Sequence, residues 1–199
     1  DNCSVSLSVS QTTFNCSDLG ANTVTLIATD AQGLTSTCTT TVTVLDTLAP
    51  VMVCQSVTVN LDASGVATIA TTDVNNGSAD NCSGVTLSLS QTTFSCSDLG
   101  ANMVTLTGTD ASGNVSTCMA TVTVVDGINP IALCKPATIY LDSNGDARLV
   151  ASDIDNGSSD NCSVTVTITD SLFTCADAGA NNVTLTATDA DGNTSTCVA

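Results

Sequence analysis

The eleven cysteines are the residues with the most obvious chemistry in this chain of 199 residues. Thiols at this density either ligate a metal or form disulfides. Structural zinc sites use closely spaced cysteine pairs, often together with histidine, whereas here the cysteines are widely spaced and histidine is absent. We therefore predict disulfides, which place the chain in an oxidising compartment.

Loop carboxylates are the second group that could do chemistry. All 19 acidic residues are aspartate, and Asp and Asn favour turns. Calcium takes six to eight oxygen ligands from carboxylates, amides and carbonyls. We predict calcium at two junctions, and the first would use Asp46, Asp73, Asn75, Asp80, Asn81, Asp110 and Asn114. The second would use Asp126, Asp153, Asp155, Asp160, Asn161, Asp189, Asp191 and Asn193. The alternative is that these residues only form Asx-turns and solvate the loops.

Catalysis and nucleic-acid binding both lack the residues they need. Without histidine, and with Lys135 as the one lysine, the chain is short of general bases and activated nucleophiles. A net charge of −17, with Arg148 as the one other cation, repels nucleic acid and anionic membranes. We therefore predict that the chain is not an enzyme, binds no nucleic acid and inserts no part of this segment into a membrane.

Alternation of apolar and polar residues predicts the elements that would hold these groups. Period two marks half-buried strands, and in the central part of the chain it predicts strands over Ser56–Leu61, Val66–Ala70, Val85–Ser90, Thr92–Cys96, Val104–Thr109 and Ser116–Val125. No segment predicts a helix. Short strands separated by turns at regular intervals are typical of an immunoglobulin-like sandwich, so the predicted fold is all-β.

The chain is also internally repetitive. Ser10–Asn22 recurs as Ser90–Asn102 with the single change of Asn15 to Ser95, a step of 80 residues. Self-similarity at a fixed period indicates tandem units. We predict the C-terminal half of a repeat at 1–46, a complete repeat at 47–126, and a repeat at 127–199 that lacks its last strand. A chain that begins within a repeat implies a longer natural polymer, and the expected partner of Cys38 then lies upstream of residue 1.

Four cysteines in a repeat permit three pairings. The first and last strands of many sandwiches run parallel and adjacent, which favours pairing the cysteines near their starts. The favoured pairs are Cys54–Cys118, Cys82–Cys96, Cys134–Cys197, Cys162–Cys175 and Cys3–Cys16. The alternative of Cys54–Cys82 with Cys96–Cys118 stays open.

The chain resembles a known family along its whole length. Ala49–Cys54, Asp80-Asn81-Cys82 and the stretch Thr109-Asp110-Ala111-Ser112-Gly113-Asn114 followed by Ser116-Thr117-Cys118 are similar to the hyalin repeat, specifically the HYR-like repeats of bacterial surface proteins. The resemblance implies an extracellular immunoglobulin-like module used in adhesion, in which the first-strand and last-strand cysteines pair. The first copy departs from the motif because it has Leu34 where the others have Asn114 and Asn193.

These observations predict a structural segment of an extracellular filament, stalk or adhesin shaft, stiffened by calcium. Near-identity of successive repeats suits a shaft, which needs equal units. The second hypothesis is an adhesive module that recognises glycans or a partner protein. The expected partners are neighbouring repeats of the same chain, identical chains in a filament, or surface glycans, at the cell surface or after secretion.

Overall fold

The computed structural model describes residues 4–82 and 84–199, and over these residues the protein is all-β, as predicted. Its strands are β1 (Val5–Val9), β2 (Gly20–Asp30), β3 (Thr35–Val44), β4 (Val57–Asn60), β5 (Val66–Thr68), β6 (Thr86–Leu89), β7 (Thr93–Ser95), β8 (Gly100–Thr109), β9 (Val115–Val125), β10 (Asp146–Arg148), β11 (Thr165–Ile168), β12 (Leu172–Thr174), β13 (Thr184–Thr188) and β14 (Thr194–Val198).

The chain divides into two compact units. The first comprises Asp1–Cys54, Asn75–Ser90 and Thr105–Met119, and the second comprises Gln55–Val74, Gln91–Val104 and Ala120–Ala199. Strands β8 and β9 each run through both units, so neither unit corresponds to one sequence repeat.

Among its described residues, the strands of the first unit pair antiparallel. Strands β1, β2 and β3 form one sheet in that order, and β6 pairs with β8 with Leu89 opposite Leu106. Two isolated bridges, Val51 with Ala79 and Cys54 with Asn75, hold the segment after the linker against the loop that contains Asp80. The loop that contains Asp80 is therefore fixed to the segment that follows the linker.

The second unit contains the parallel pair that the sequence predicts between the first and last strands of a repeat. Strand β4 runs parallel to β9, with Val57 opposite Val122 and Asn60 opposite Val125. Antiparallel pairs β5–β7 and β10–β12 and the sheet β11–β13–β14 complete the unit.

Alternating side chains of these strands form the core of the second unit. Phe94, Val122 and Val124 are at most 1% exposed, and the equivalent cluster in residues 127–199 consists of Leu149, Ile154, Val183 and Leu185. Burial of apolar surface at about 25 cal/mol per Å² is the main stabilising term for such packing. The alternate positions of these strands, many of them Thr or Ser, are more exposed, as period two requires.

Two short helices correct the prediction that the chain has none. Helices α1 (Thr71–Val74) and α2 (Ala151–Ile154) are single turns, and each buries its last residue. Asp73 Oδ2 accepts a hydrogen bond from Ala70 N at 2.7 Å, and Asp153 Oδ2 accepts one from Val150 N at 3.0 Å. A helix of four residues is too short to produce a 3.6-residue periodicity, so the sequence pattern does not reveal it.

Two of the predicted disulfides are confirmed. Cys54 bonds to Cys118 and Cys134 bonds to Cys197, with Cα atoms 5.9 and 5.8 Å apart. The alternative pairing of Cys54 with Cys82 and Cys96 with Cys118 is therefore wrong.

The other predicted pairs are also wrong, because Cys16 and Cys96 bond to cysteines much farther along the chain. Cys16 bonds to Cys82 and Cys96 bonds to Cys162, each across 66 positions. Cys82–Cys96, Cys162–Cys175 and Cys3–Cys16 therefore do not form; Cys3 itself lies outside the described residues. Among the described residues, Cys38 and Cys175 are free and exposed.

Candidate metal centre

Three aspartates come together at two places, one in each compact unit. We call Asp46, Asp80 and Asp110 the first aspartate cluster, and Asp126, Asp160 and Asp189 the second aspartate cluster. Within each cluster, one carboxylate oxygen of every residue lies within 4.8 Å of the others. The two clusters occupy equivalent positions of the sequence repeat. In each, the residues come from the linker, from the position before an Asn-Cys pair and from the loop before β9 or β14.

A tight turn fixes the most deeply buried member of the first cluster. Asp110 is only 6% exposed and follows β8. Its Oδ1 accepts hydrogen bonds from Ser112 N at 2.9 Å and from Asn114 N at 2.8 Å. Gly113 has a φ of +90°, which an L side chain rarely adopts, so glycine allows the turn to close. These hydrogen bonds hold the carboxylate of Asp110 in place.

An asparagine then ties this turn to the linker. Asn114 Nδ2 donates to Asp110 Oδ2 at 2.8 Å and to the carbonyl oxygen of Asp46 at 3.1 Å. In the second cluster, Asn193 Nδ2 donates to Asp189 Oδ2 at 2.8 Å and to the carbonyl oxygen of Asp126 at 2.8 Å. Both asparagines therefore position carboxylates through their amide nitrogen, which is a supporting role beside any ligand role of their oxygen.

The second cluster holds its linker residue by further contacts. Asp126 N donates to Asp191 Oδ2 at 2.6 Å, and Asp126 Oδ1 accepts from Ile128 N at 3.1 Å and from Asn161 Nδ2 at 3.2 Å. Asp126 is 4% exposed. A charged group buried to this extent is costly unless it is paired or coordinates a metal.

Several oxygens at these clusters are buried without a hydrogen-bond partner among the described residues. They are Asp46 Oδ2, Asp126 Oδ2, Asp160 Oδ1 and Asn161 Oδ1. Buried polar atoms are nearly always satisfied in folded proteins, so such atoms require an explanation. A hard cation with oxygen ligands fits this donor set, since carboxylate and amide oxygens are what calcium binds.

The aspartates of the tight turns are held as anions. Burial disfavours ionisation of Asp110, but hydrogen bonds from the side chain and backbone of Asn114 and from the backbones of Ser112 and Gly113 outweigh it and lower its pKa. The pKa of Asp189 is lowered in the same way, because bonds from Asn193, Gly192 and Asp191 outweigh burial. Each cluster thus concentrates negative charge that its own turns maintain.

Other aspartates and asparagines of the predicted sites lie in turns of their own. Asp73 and Asp153 cap α1 and α2 as described above. Asn75 Oδ1 accepts from Ser78 N at 3.0 Å, and Asp155 Oδ1 accepts from Ser158 N at 3.0 Å. The pKa of Asp155 is lowered chiefly by the Ser158 hydroxyl and backbone N–H, with Lys135 adding a smaller effect. None of these four residues is part of either cluster, so the Asx-turn alternative describes them better.

Asn81 and Asn161 face the disulfides that the sequence prediction missed. The carbonyl oxygen of Asn81 is 3.5 Å from Cys16 Sγ, and that of Asn161 is 3.6 Å from Cys96 Sγ. Cys162 N donates to Asp160 Oδ2 at 3.0 Å, as Cys82 N does to Asp80 Oδ2. The segments Asp80–Cys82 and Asp160–Cys162 therefore each supply a carboxylate to a cluster and a sulfur to a disulfide. The recurrence of Asp-Asn-Cys in the sequence was the signal for this association.

A groove of about 370 Å³ in the second unit offers little for catalysis. Its walls are mainly apolar and include Ile139, Leu149, Phe173 and Val183, and the titratable side chain among the lining residues is Asp177. That carboxylate already accepts hydrogen bonds from Thr174 N at 2.9 Å and from its hydroxyl at 3.0 Å, which lower its pKa. Among the described residues no helix has the length and apolar character needed to span a bilayer.

Comparison with known proteins identifies no family. No family model matches the chain. No curated protein matches it either.

Solved structures that resemble the chain include extracellular cadherin domains. Domains 1–4 of protocadherin gamma B7 are 14% identical, with a TM-score of 0.39 over 98% of this chain and 63% of that one. Domains 1–5 of protocadherin gamma B2 are 14% identical, with a TM-score of 0.40 over 100% and 50%. Protocadherin gamma C5 EC1–3 is 12% identical, with a TM-score of 0.40 over 92% and 76%. The chain thus spans less than two thirds of the first two structures, and at these TM-scores no property of the neighbours is transferred to it.

Proposed function

We propose that this chain is a structural segment of an extracellular shaft or filament, in which calcium at the two aspartate clusters stiffens the junctions between successive repeats. The observation that carries the proposal is the second aspartate cluster. There, the 96%-buried Asp126 leaves Oδ2 without a partner beside two further carboxylates. The first aspartate cluster repeats the arrangement one sequence period earlier, as equal units of a shaft would.

A bound divalent cation would neutralise the mutual repulsion of three carboxylates. Asp126, Asp160 and Asp189 would hold it, and Asn161 would add its unpartnered Oδ1. These residues belong to a linker and to two separate loops, so a shared cation would restrict motion of the linker relative to both loops. This chain contributes to that rigidity even before a cation binds, because Asn193 and Asp191 already hold the linker residue Asp126.

The disulfides support the same proposal from a second direction. Disulfides persist in oxidising, extracytosolic surroundings, and two of the four described here connect successive sequence repeats. A chain whose successive sequence repeats are covalently joined suits load bearing. On this basis we also propose the domain division at 1–46, 47–126 and 127–199 and membership of the HYR-like repeats as working assignments.

Isothermal titration of the oxidised, chelator-treated chain with CaCl₂ tests the calcium proposal. We expect two binding events for each chain, and Asp126→Asn should remove one of them. The amide oxygen of the substituted side chain can still accept the hydrogen bonds that Asp126 Oδ1 accepts. Asp142→Asn is the matched control, because this substitution also removes one negative charge, but from a turn outside both clusters. Absence of calcium heat in the unmodified chain, or equal loss in both variants, would contradict the proposal.

A further inference from the structure

The structure contains the same covalent junction twice. Cys16 bonds to Cys82 and Cys96 bonds to Cys162, across 66 positions in each case. In both, the receiving cysteine begins a 3-10 helix and the arriving cysteine follows an Asp-Asn pair. The sulfur of the receiving cysteine lies 3.5 to 3.6 Å from the asparagine carbonyl oxygen.

A turn beside Cys96 forms the receiving surface. Gly65 has a φ of +72°, and its carbonyl oxygen is 3.8 Å from Cys96 Sγ. A Cβ at Gly65 would lie 2.9 Å from the Asn161 carbonyl oxygen, so the missing side chain makes room for the arriving segment. Asn161 Nδ2 also donates to the carbonyl oxygen of Asp62 at 3.2 Å. The arriving segment is thus recognised by shape and by hydrogen bonding as well as by the disulfide.

The same surface exists a second time, around Cys175. Cys175 begins a 3-10 helix capped by Thr174, and the carbonyl oxygen of Gly145 is 3.8 Å from its Sγ. The turn at Asp142 matches the turn at Asp62, since each Oδ1 accepts backbone hydrogen bonds two and four residues on.

This second surface is uncovered. Cys175 is exposed whereas Cys96 is half-buried, and Gly145 is half-buried whereas Gly65 is buried. A Cβ at Gly145 would meet the Cys175 sulfur at 2.8 Å, with no other atom of the described residues within 4 Å. The space that Asn161 fills beside Gly65 therefore stands open beside Gly145, although its walls have the same form.

We propose that Cys175 and the Asp142–Gly145 turn are a covalent docking site for an Asp-Asn-Cys segment carried by a further repeat of this type. The asparagine of that segment would donate to the carbonyl of Asp142 and place its own carbonyl above Gly145. Its cysteine would bond to Cys175. This goes beyond the proposed calcium function and does not depend on it, because neither cluster contributes an atom to the site.

The bond forms by thiol–disulfide exchange with a small disulfide such as oxidised glutathione as the oxidant. The thiolate of the arriving cysteine attacks glutathione disulfide and releases one glutathione thiolate. The Cys175 thiolate then attacks the segment's sulfur in this mixed disulfide and releases the second. Two thiols lose their protons, one protein–segment disulfide forms, and the two electrons reduce one glutathione disulfide to two glutathione thiols.

A peptide with the sequence of Ser158–Val164, supplied as its glutathione mixed disulfide, tests the proposal. It is added in chelator to the oxidised chain with Cys3→Ser, and peptide mapping by mass spectrometry locates the adduct. The exposed thiol of Cys38 in β3 is an internal comparator. A hydrogen bond equivalent to that from Asn161 Nδ2 to the Asp62 carbonyl should favour Cys175 over Cys38 by about fivefold after correction for the reactivity of each thiol toward glutathione disulfide alone.

A control peptide with alanine in place of Asn161 keeps the cysteine but lacks the amide that would donate to the Asp142 carbonyl, as Asn161 does to the Asp62 carbonyl. It should lose the preference for Cys175 and react with both thiols in proportion to their glutathione reactivity. Equal reaction of the two peptides at Cys175, or preferential capture by Cys38, would overturn the proposal. Because all arms contain chelator, failure of the calcium proposal would not alter these outcomes.

Discussion

Removal of the Cys96–Cys162 bond is predicted to weaken calcium binding at the second aspartate cluster and to leave the first unchanged. The reason is the short segment Asp160-Asn161-Cys162. It is held by the disulfide at one end, while Asp160 and Asn161 reach the cluster at the other. The variant Cys96→Ser with Cys162→Ser releases the first restraint without changing any candidate ligand.

The magnitude follows from the contacts that are lost and those that stay. A bond that closes a loop of 66 positions contributes about 4 kcal/mol to unfolding free energy in the chain-entropy model. Asn161 keeps its hydrogen bonds to Asp126 and to the Asp62 carbonyl, so the freed segment stays partly ordered. If calcium must then order one further residue, the cost is roughly 1–2 kcal/mol, which weakens calcium binding about tenfold.

The control removes a disulfide of similar loop length elsewhere in the same unit. Cys134→Ser with Cys197→Ser opens a loop of 63 positions and should lose a similar unfolding free energy. Its calcium affinity should stay within about twofold, because that bond does not include the Asp160–Cys162 segment. Urea denaturation followed by circular dichroism measures stability, and calorimetry resolves the two calcium sites.

Two outcomes would refute this reasoning. If the variant binds calcium at the second cluster as tightly as the unmodified chain, the segment is positioned without the disulfide. If both variants lose calcium affinity equally, general destabilisation explains the effect. Coupling is reciprocal, so calcium should also slow or oppose reduction of Cys96–Cys162 by a dithiol, and absence of that protection would count against the coupling.

Three further predictions use simpler measurements. Gly65→Ala should lower the unfolding free energy by roughly 1–3 kcal/mol, because its Cβ would lie 2.7 Å from Cys96 Sγ and 2.9 Å from the Asn161 carbonyl oxygen. Gly145→Ala should lose less, because its Cβ would meet Cys175 Sγ at 2.8 Å but no backbone atom, and equal losses in urea denaturation would contradict this. Asn193→Leu, which places at this position the residue type found at Leu34, should cost about 1–3 kcal/mol in chelator because two hydrogen bonds are lost, and an unchanged urea midpoint would show that they do not matter. The folded pKa values of Asp110 and Asp189 lie below the ordinary 3.8. Their contribution to stability is therefore present above that pH and is lost as pH falls through the folded values. The urea midpoint of the chain should decrease below about pH 4, and it should decrease less in Asp189→Asn.

Much of this architecture follows from patterns that are visible in the sequence. Alternation of apolar residues predicts β4, β6 and β9 to within a residue or two, since period two is a direct consequence of strand geometry. The six aspartates that form the clusters were also within the predicted sites. These aspartates lie in loops that connect the strands, and the predicted strand pattern is sufficient to indicate that the loops come together.

The pairing of Cys82 and Cys96 was wrong for a reason that is inherent in repetition. When successive copies are nearly identical, a partner in the same repeat and the equivalent partner in the next repeat carry the same local sequence. Only the three-dimensional contact between Cys96 and the Asn161 carbonyl distinguishes the two. The Asx caps at Asp73 and Asp153 present a similar problem, because a loop aspartate that accepts backbone N–H bonds and one that binds a cation have the same sequence surroundings.

The disulfides Cys16–Cys82 and Cys96–Cys162 also determine how the chain would respond to pulling. A force applied at the two ends travels along the shortest covalent route, which crosses from Cys16 to Cys82 and from Cys96 to Cys162 without extending the residues between. Two loops of 66 positions are thereby withheld from stretching. At about 3.4 Å for each extended residue, this hidden length is on the order of 450 Å, which the chain would release only after the sulfurs are reduced.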